Sequence, residues 1–138
     1  MFFATPARLK FLKAARTEFG HAVDVIHRLA MAHPEIAFSL SDGQRVAVRL
    51  GATTGDLFAR RLDRLSQIMG RDFAANALRV NAQREDITLT GYIGLPTFNR
   101  RTASHQFFFV NGRPVRDKQL FGAVRGAYMD FLAHDRHP

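Results

Sequence analysis

The apolar residues of this chain switch between two periods, and that switching most constrains its fold. Ile36, Phe38 and Leu40 alternate, as do Val46, Val48 and Leu50, with Asp42-Gly43 between the two runs. Alternation around such a dipeptide is a β-hairpin signal. Upstream the spacing becomes helical, through Phe19, Val23, Ile26 and Ala30 with Leu29 adjoining, and it does so again downstream through Phe58, Leu62, Leu65 and Met69. Helical stripes interleaved with hairpins predict an α+β layer, a sheet with helices on one face.

Local signals set the boundaries. Met1-Phe2-Phe3 reads as a scrap of strand, and Thr5-Pro6 starts a helix with a hydroxyl N-cap and a proline in the first helical position. This short helix runs to about Lys13, and a second begins near Thr17 and stops before Pro34. Asp56 caps the next helix and Gly70 ends it. Opposite its apolar stripe, Arg60, Arg64, Gln67 and Arg71 form what reads as a solvated face partly neutralised by Asp56 and Asp63. Strands are expected at about 77–83 and 87–95, with Glu85-Asp86 as the turn between them. Pro96 to Ser104 is a polar loop, and His105 to Val110 a strand that is apolar on both faces and therefore central in its sheet. Asn111-Gly112 marks a turn, and Asp117 caps a last helix with the stripe Leu120, Val124, Tyr128, Phe131 and Leu132.

A length of 138 residues suits one domain, or one domain with an attached fragment. The absence of cysteine excludes disulfides, thiolate zinc sites and cysteine nucleophiles. The longest charge-free stretch, Ile87 to Asn99, is 13 residues, too short to span a bilayer, and no apolar segment follows a basic start. The expectation is a soluble, basic, intracellular domain with no membrane partner.

Catalysis finds no support, and no catalytic residue is assigned. The six histidines (His21, His27, His33, His105, His134, His137) contain no i, i+4 pair on a helix and no attendant carboxylates, so no metal ligand is assigned either. Ser104 and His105 are neighbours on a strand, whose side chains point to opposite faces. No Gly-x-Ser-x-Gly elbow or glycine-rich phosphate loop occurs. Phe107-Phe108-Phe109 could stack bases, but core packing is the stronger reading because the run lacks interleaved glycine and basic residues.

Charge is more informative. Basic residues number 20 against 12 acidic, and 17 of them are arginine, whose planar fork grips phosphate in bidentate fashion. The last 39 residues carry seven basic and three acidic groups, half of the net +8. Arg100, Arg101, Arg113, Arg116, Lys118 and Arg125 lie there; Lys118 and Arg125 share a helix face, and Lys118 stands at the helix start, where the dipole favours an anion. A phosphate cradle and a merely soluble surface fit these residues equally well.

Two strings bear on that choice. FFATPARLKFLK, Phe2 to Lys13, resembles the Leu-Phe-x-Asn-x-Pro-Ala-Arg-x-Lys-Phe-Leu signature of the MutL family of DNA mismatch-repair proteins, and QFFFVNGRPVRDK, Gln106 to Lys118, resembles its Val-Asn-Gly-Arg-x-x-Arg-Asp-[Lys/Arg] signature. GLPTFNRRTASHQF before the second, and RLAMAHP at Arg28 to Pro34, are similar to the same family. The resemblance spans essentially the whole chain. It implies a ribosomal protein S-five domain-two-like fold with a left-handed βαβ crossover, preceded by a helical segment from the ATPase module. Residues 1–16 would end that module, and 17–138 would form a transducer-like DNA-binding domain cut short at its C-terminal end. It implies DNA as the partner, double- or single-stranded, and coupling of mismatch recognition by MutS to nicking and unwinding enzymes in the bacterial cytoplasm, at the nucleoid. Lys118 matches the signature's DNA-associated basic position, and Arg113 and Arg116 its other basic positions.

ATP and Mg belong to the full-length family members. The family's nucleotide-binding asparagine, acidic residue and glycine-rich lid are expected upstream of Phe2 and its His-Pro-Ala-Lys lysine after Pro138, so this stretch is expected to be no enzyme and to hold no cofactor by itself. Ala4 stands where many relatives carry asparagine. The alternative is a protein–protein docking module of the same repair protein without direct DNA contact. An exposed sheet edge is expected to pair copies into a homodimer.

Overall fold

The computed structural model describes residues 6–101 and 104–138. It opens with one long helix, α1 (Pro6–Ala32), followed by the hairpin β1 (Phe38–Ser41) and β2 (Val46–Leu50). Helix α2 (Leu57–Met69) and the short α3 (Arg71–Ala75) lead into a second hairpin, β3 (Ala77–Arg84) and β4 (Ile87–Gly94). A third hairpin, β5 (Phe108–Val110) and β6 (Arg113–Val115), precedes α4 (Lys118–Ala127). The mixture is α+β, as the switching periods predict. Its strands form three separate antiparallel two-stranded sheets, and among the described residues no parallel pair joins them. The Met1–Phe3 strand and the Thr5 cap lie outside the described residues.

Two expected helices at the N-terminus are one. Ala14-Ala15 has high helix propensity and no breaker lies between Lys13 and Thr17, so α1 runs unbroken across the predicted gap. Its C-terminal half supplies Val23, Ile26 and Ala30 to the main core, where Phe38, Leu40, Val48, Leu50 and Ile68 meet them. The register pairs Phe38 with Leu50 and Leu40 with Val48, placing all four on one face, and then slips between Leu40 and Ser41. That slip turns Val46 outward, 45% exposed, although the alternating pattern put it inside.

Caps behave as read. Asp56 accepts from the Ala59 N–H at 2.8 Å, and Gly70, at φ 98°, closes α2 by donating to the Ser66 carbonyl. Arg64 does not lie on a solvated face. It is fully buried, its Nη2 donating to the carbonyls of Pro34 at 2.8 Å and Ile36 at 2.5 Å. The Pro34 carbonyl also accepts the N–H and the hydroxyl of buried Thr53, at 3.0 and 2.7 Å. A guanidinium in the interior thus ties α2 to the turn that follows α1. Its long apolar stem lets it cross packed surface to reach those carbonyls.

The β3–β4 hairpin turns its polar side toward α2. Its inward face is Arg79, Thr90 and Tyr92: Arg79 lies 3.6 Å from the Phe58 ring centre, and the Tyr92 hydroxyl donates to the Phe58 carbonyl at 2.9 Å. Arg61 reaches Thr90 at 2.8 Å. Leu78, Ile87, Leu89 and Ile93, which share the other face, are 40–73% exposed.

Phe107–Val110 is not a central strand among the described residues. β5 begins at Phe108 and pairs with β6 alone, in a register that sets Phe109 against Pro114. Asn111 and Gly112 both have positive φ, 51° and 77°, the backbone of a tight hairpin turn. Core packing does claim part of the run, because Phe108 meets Phe121 edge-on at 5.1 Å.

Candidate nucleic-acid interface

The six basic residues fall into two groups. Arg113 lies on β6, Arg116 in the link to α4, and Lys118 is the first residue of α4; all three are exposed. Arg113 and Lys118 make no ion pair with a carboxylate among the described residues. Arg116 does, its Nη2 lying 2.6 Å from Asp24 Oδ2 on α1.

The start of α4 is not open to an anion in the way the sequence suggests. Asp117 caps it, its Oδ1 accepting from the N–H groups of Gln119 at 2.7 Å and Leu120 at 3.3 Å. The carboxylate fills the place a phosphate would take at the backbone. The positive charge at this helix start is therefore that of the exposed side chains of Lys118 and Arg113.

The second group gathers around the C-terminal turn. Arg125 Nη2 donates to the His134 carbonyl at 2.6 Å, and Arg100 and His137 exchange backbone hydrogen bonds of 2.7 Å in each direction. The Arg100 guanidinium lies 5.3 Å from the Phe98 ring centre. Arg136, which sequence reasoning passed over, donates through Nε to the Asn99 side chain and through Nη2 to its carbonyl at 3.3 Å. Tyr128, buried, closes this region by donating to the Gly94 carbonyl at 2.5 Å. Arg125 and Arg136 line one cavity of about 410 Å³ with Gly122, Gly126, Tyr128 and His134. Arg101 is exposed in the loop before Ser104.

Asp24 also went unread, although its spacing of four from Arg28 was visible. Arg28 Nε lies 2.9 Å from the same Oδ2 that Arg116 contacts, and its guanidinium stands 4.8 Å from the Phe107 ring centre. Burial disfavours the Asp24 carboxylate, but the hydrogen bonds and charges of Arg28 and Arg116 outweigh it and hold its pKa below the usual 3.8. Burial, helped by the Arg100 charge, pushes the His105 imidazole below its ordinary value. Among the described residues no three His, Cys, Asp or Glu side chains could hold a metal ion, and no helix is long and apolar enough to cross a membrane.

The family described as "DNA mismatch repair protein, C-terminal domain" matches residues 65–138. The DNA mismatch repair protein MutL of Rhodospirillum rubrum is 63% identical over 137 residues, 99% of this chain and 22% of its own length. The corresponding protein of Paramagnetospirillum magneticum is 61% identical over all of this chain and 23% of its own. The chain thus spans less than a quarter of the length of these curated relatives. Among solved structures, the Aquifex aeolicus MutL ATPase domain complexed with ADP superposes with a TM-score of 0.61 at 26% identity, covering 91% of this chain and 45% of that one. This likeness, and the small antiparallel sheets with their helices, are consistent with the S-five-like fold.

Proposed function

The chain belongs to the MutL family of DNA mismatch-repair proteins, and from that premise we propose that it is a DNA-binding, transducing part of a mismatch-repair ATPase. Residues 1–16 close the ATPase module and 17–138 form the transducer-like domain. ATP and Mg serve the whole protein, a reading supported by the relative solved with ADP, while these residues carry no part of the ATP chemistry. MutS and the enzymes that nick and unwind DNA are partners of the whole protein, in the bacterial cytoplasm.

The observation that carries the DNA reading is the exposure of Arg113 and Lys118, without carboxylate partners among the described residues, on the stretch that closes the family signature. Such groups engage phosphates without reading bases, so binding is sequence-independent and weakens as salt rises. With Arg116 added, three phosphate contacts give a slope of log affinity against log salt of about −2.7 on duplex DNA. Arg125 and Arg100 belong to the other group, where they hold the C-terminal turn through the His134 carbonyl and the His137 backbone.

Lys118→Glu tests this. Binding to a labelled duplex, followed by anisotropy across a salt titration, is expected to weaken on the order of tenfold, with the slope shallower by about 1. The melting temperature stays put, because Lys118 is exposed and makes no ion pair among the described residues. Equal binding by variant and parent at low salt removes Lys118 from the interface. A second reading, docking of protein partners without DNA contact, draws on the exposed apolar face of β3–β4. DNA binding that is absent or indifferent to salt favours it.

A further inference from the structure

We propose that Asp24 sets the strength of this surface by holding Arg116 in reserve: its carboxylate competes with DNA phosphate for the Arg116 guanidinium. The inference rests on the DNA-binding reading above. Its starting point is that two arginines share one oxygen, Asp24 Oδ2, with Arg28 Nε at 2.9 Å and Arg116 Nη2 at 2.6 Å. They are not equivalent. The Arg28 side chain is 12% exposed and packs over Phe107, whereas that of Arg116 is 68% exposed. Arg28 is the resident partner and Arg116 the removable one.

That asymmetry makes release inexpensive. When Arg116 swings away, Asp24 keeps Arg28, so no partly buried carboxylate is left without a cation. The contact given up is an exposed ion pair, which contributes little in water. A phosphate in its place offers two oxygens to the planar fork and a bidentate, charge-assisted pair. DNA therefore draws Arg116 off Asp24, and the competition lowers affinity below what the same cations would give if all were free. The pair also links α1 to the β6–α4 connection, residues 92 positions apart in sequence, while α1 stays seated through its core contacts and through Arg28 over Phe107.

A double-mutant cycle on the chain tests this: parent, Asp24→Asn, Arg116→Gln and both, each measured for affinity to a labelled duplex over a salt titration. Asp24→Asn is expected to tighten binding about two- to fivefold, the range that exposed ion pairs span. In the Arg116→Gln background that gain disappears. A gain of equal size in both backgrounds overturns the proposal, since Asp24 would then act only as a nearby negative charge. A loss of affinity in Asp24→Asn also overturns it, because Asp24 would then orient Arg116 toward DNA. Guanidinium NMR of the parent gives a check that needs no variant: adding DNA shifts the Arg116 resonances, while Arg28 stays hydrogen-bonded to Asp24, and unmoved Arg116 resonances refute the exchange. Binding by the parent without salt dependence refutes the DNA reading and this inference together. Salt-dependent binding with no coupling in the cycle refutes the inference alone.

Discussion

Replacing Arg64 isolates what a buried guanidinium contributes to this fold. Truncation to alanine removes both bonds to the turn after α1. The Pro34 carbonyl keeps its two donors from Thr53. Without Arg64, Ile36 loses the donor that reaches its carbonyl, and because that bond is only part-buried and water can replace it in part, the loss costs about 1 kcal/mol. The lost stem adds a cavity, since the side chain is completely enclosed between α2 and the Phe38 ring. Relief works in the other direction: Nε and Nη1 are buried without hydrogen-bond partners among the described residues, so removing the charge recovers part of the cost of burying it. The balance for Arg64→Ala is a loss of about 2–4 kcal/mol, read by urea unfolding. Arg64→Met keeps most of the packing volume and discards the unpaired charge, and is expected to lose only about half as much, roughly 1–2 kcal/mol. Arg60, whose Nε donates to the exposed Gly55 carbonyl, is the control, and Arg60→Ala is expected to stay within about 0.5 kcal/mol of the parent. If Arg64→Ala unfolds at the same urea midpoint as Arg60→Ala, the interior guanidinium is not the tie described above.

Tyr128→Phe deletes the hydroxyl that reaches buried Gly94 and is expected to lower stability by about 1–2 kcal/mol in urea, leaving the DNA salt slope unchanged; an unaltered midpoint would show that water replaces the bond without loss. Acidification is expected to destabilise the fold through His27 and His105. Burial depresses both pKa values below 6.5, against the opposing charge of Asp24 for His27 and with the Arg100 charge for His105. The unfolded chain therefore binds more protons just below pH 6.5, so their stabilisation is complete above that pH and is lost as the pH falls toward the folded values. Melting curves from pH 7.5 to 5.5 should show it, and a double His27→Gln, His105→Gln variant should flatten the dependence. Asp24 takes no part in that window, because its depressed pKa keeps it ionised until the pH falls below 3.8.

Short-range chemistry made much of the fold legible. Asp42-Gly43, Glu85-Asp86 and Asn111-Gly112 all sit at hairpin turns, and the caps Asp56, Gly70 and Asp117 act where they were read. β6 was not read, because Pro114 argues against a strand unless the strand is an edge, as this one is. The last helix was drawn too long. It stops at Ala127, so Phe131, placed on the apolar stripe by spacing, is 69% exposed. Helical spacing also placed Arg64 with Arg60 and Arg71, since a wheel of positions says nothing about carbonyls brought in by another element. The site followed the same division. Arg113, Arg116 and Lys118 were found through the signature they close, whereas Asp24 reaches Arg116 across 92 residues, a distance no local pattern spans.

The unbroken course of α1 has a mechanical meaning. At about 1.5 Å per residue its 27 residues make a rod of roughly 40 Å, and the boundary proposed at residues 16 and 17 falls inside it with no joint. One residue inserted near that point would turn everything beyond it by about 100° and advance it by about 1.5 Å, uncoupling the angular phase of the two parts while leaving each intact. Any twist imposed on the front of the rod arrives at its rear, where Asp24 and Arg28 sit, as a rotation of the same sense.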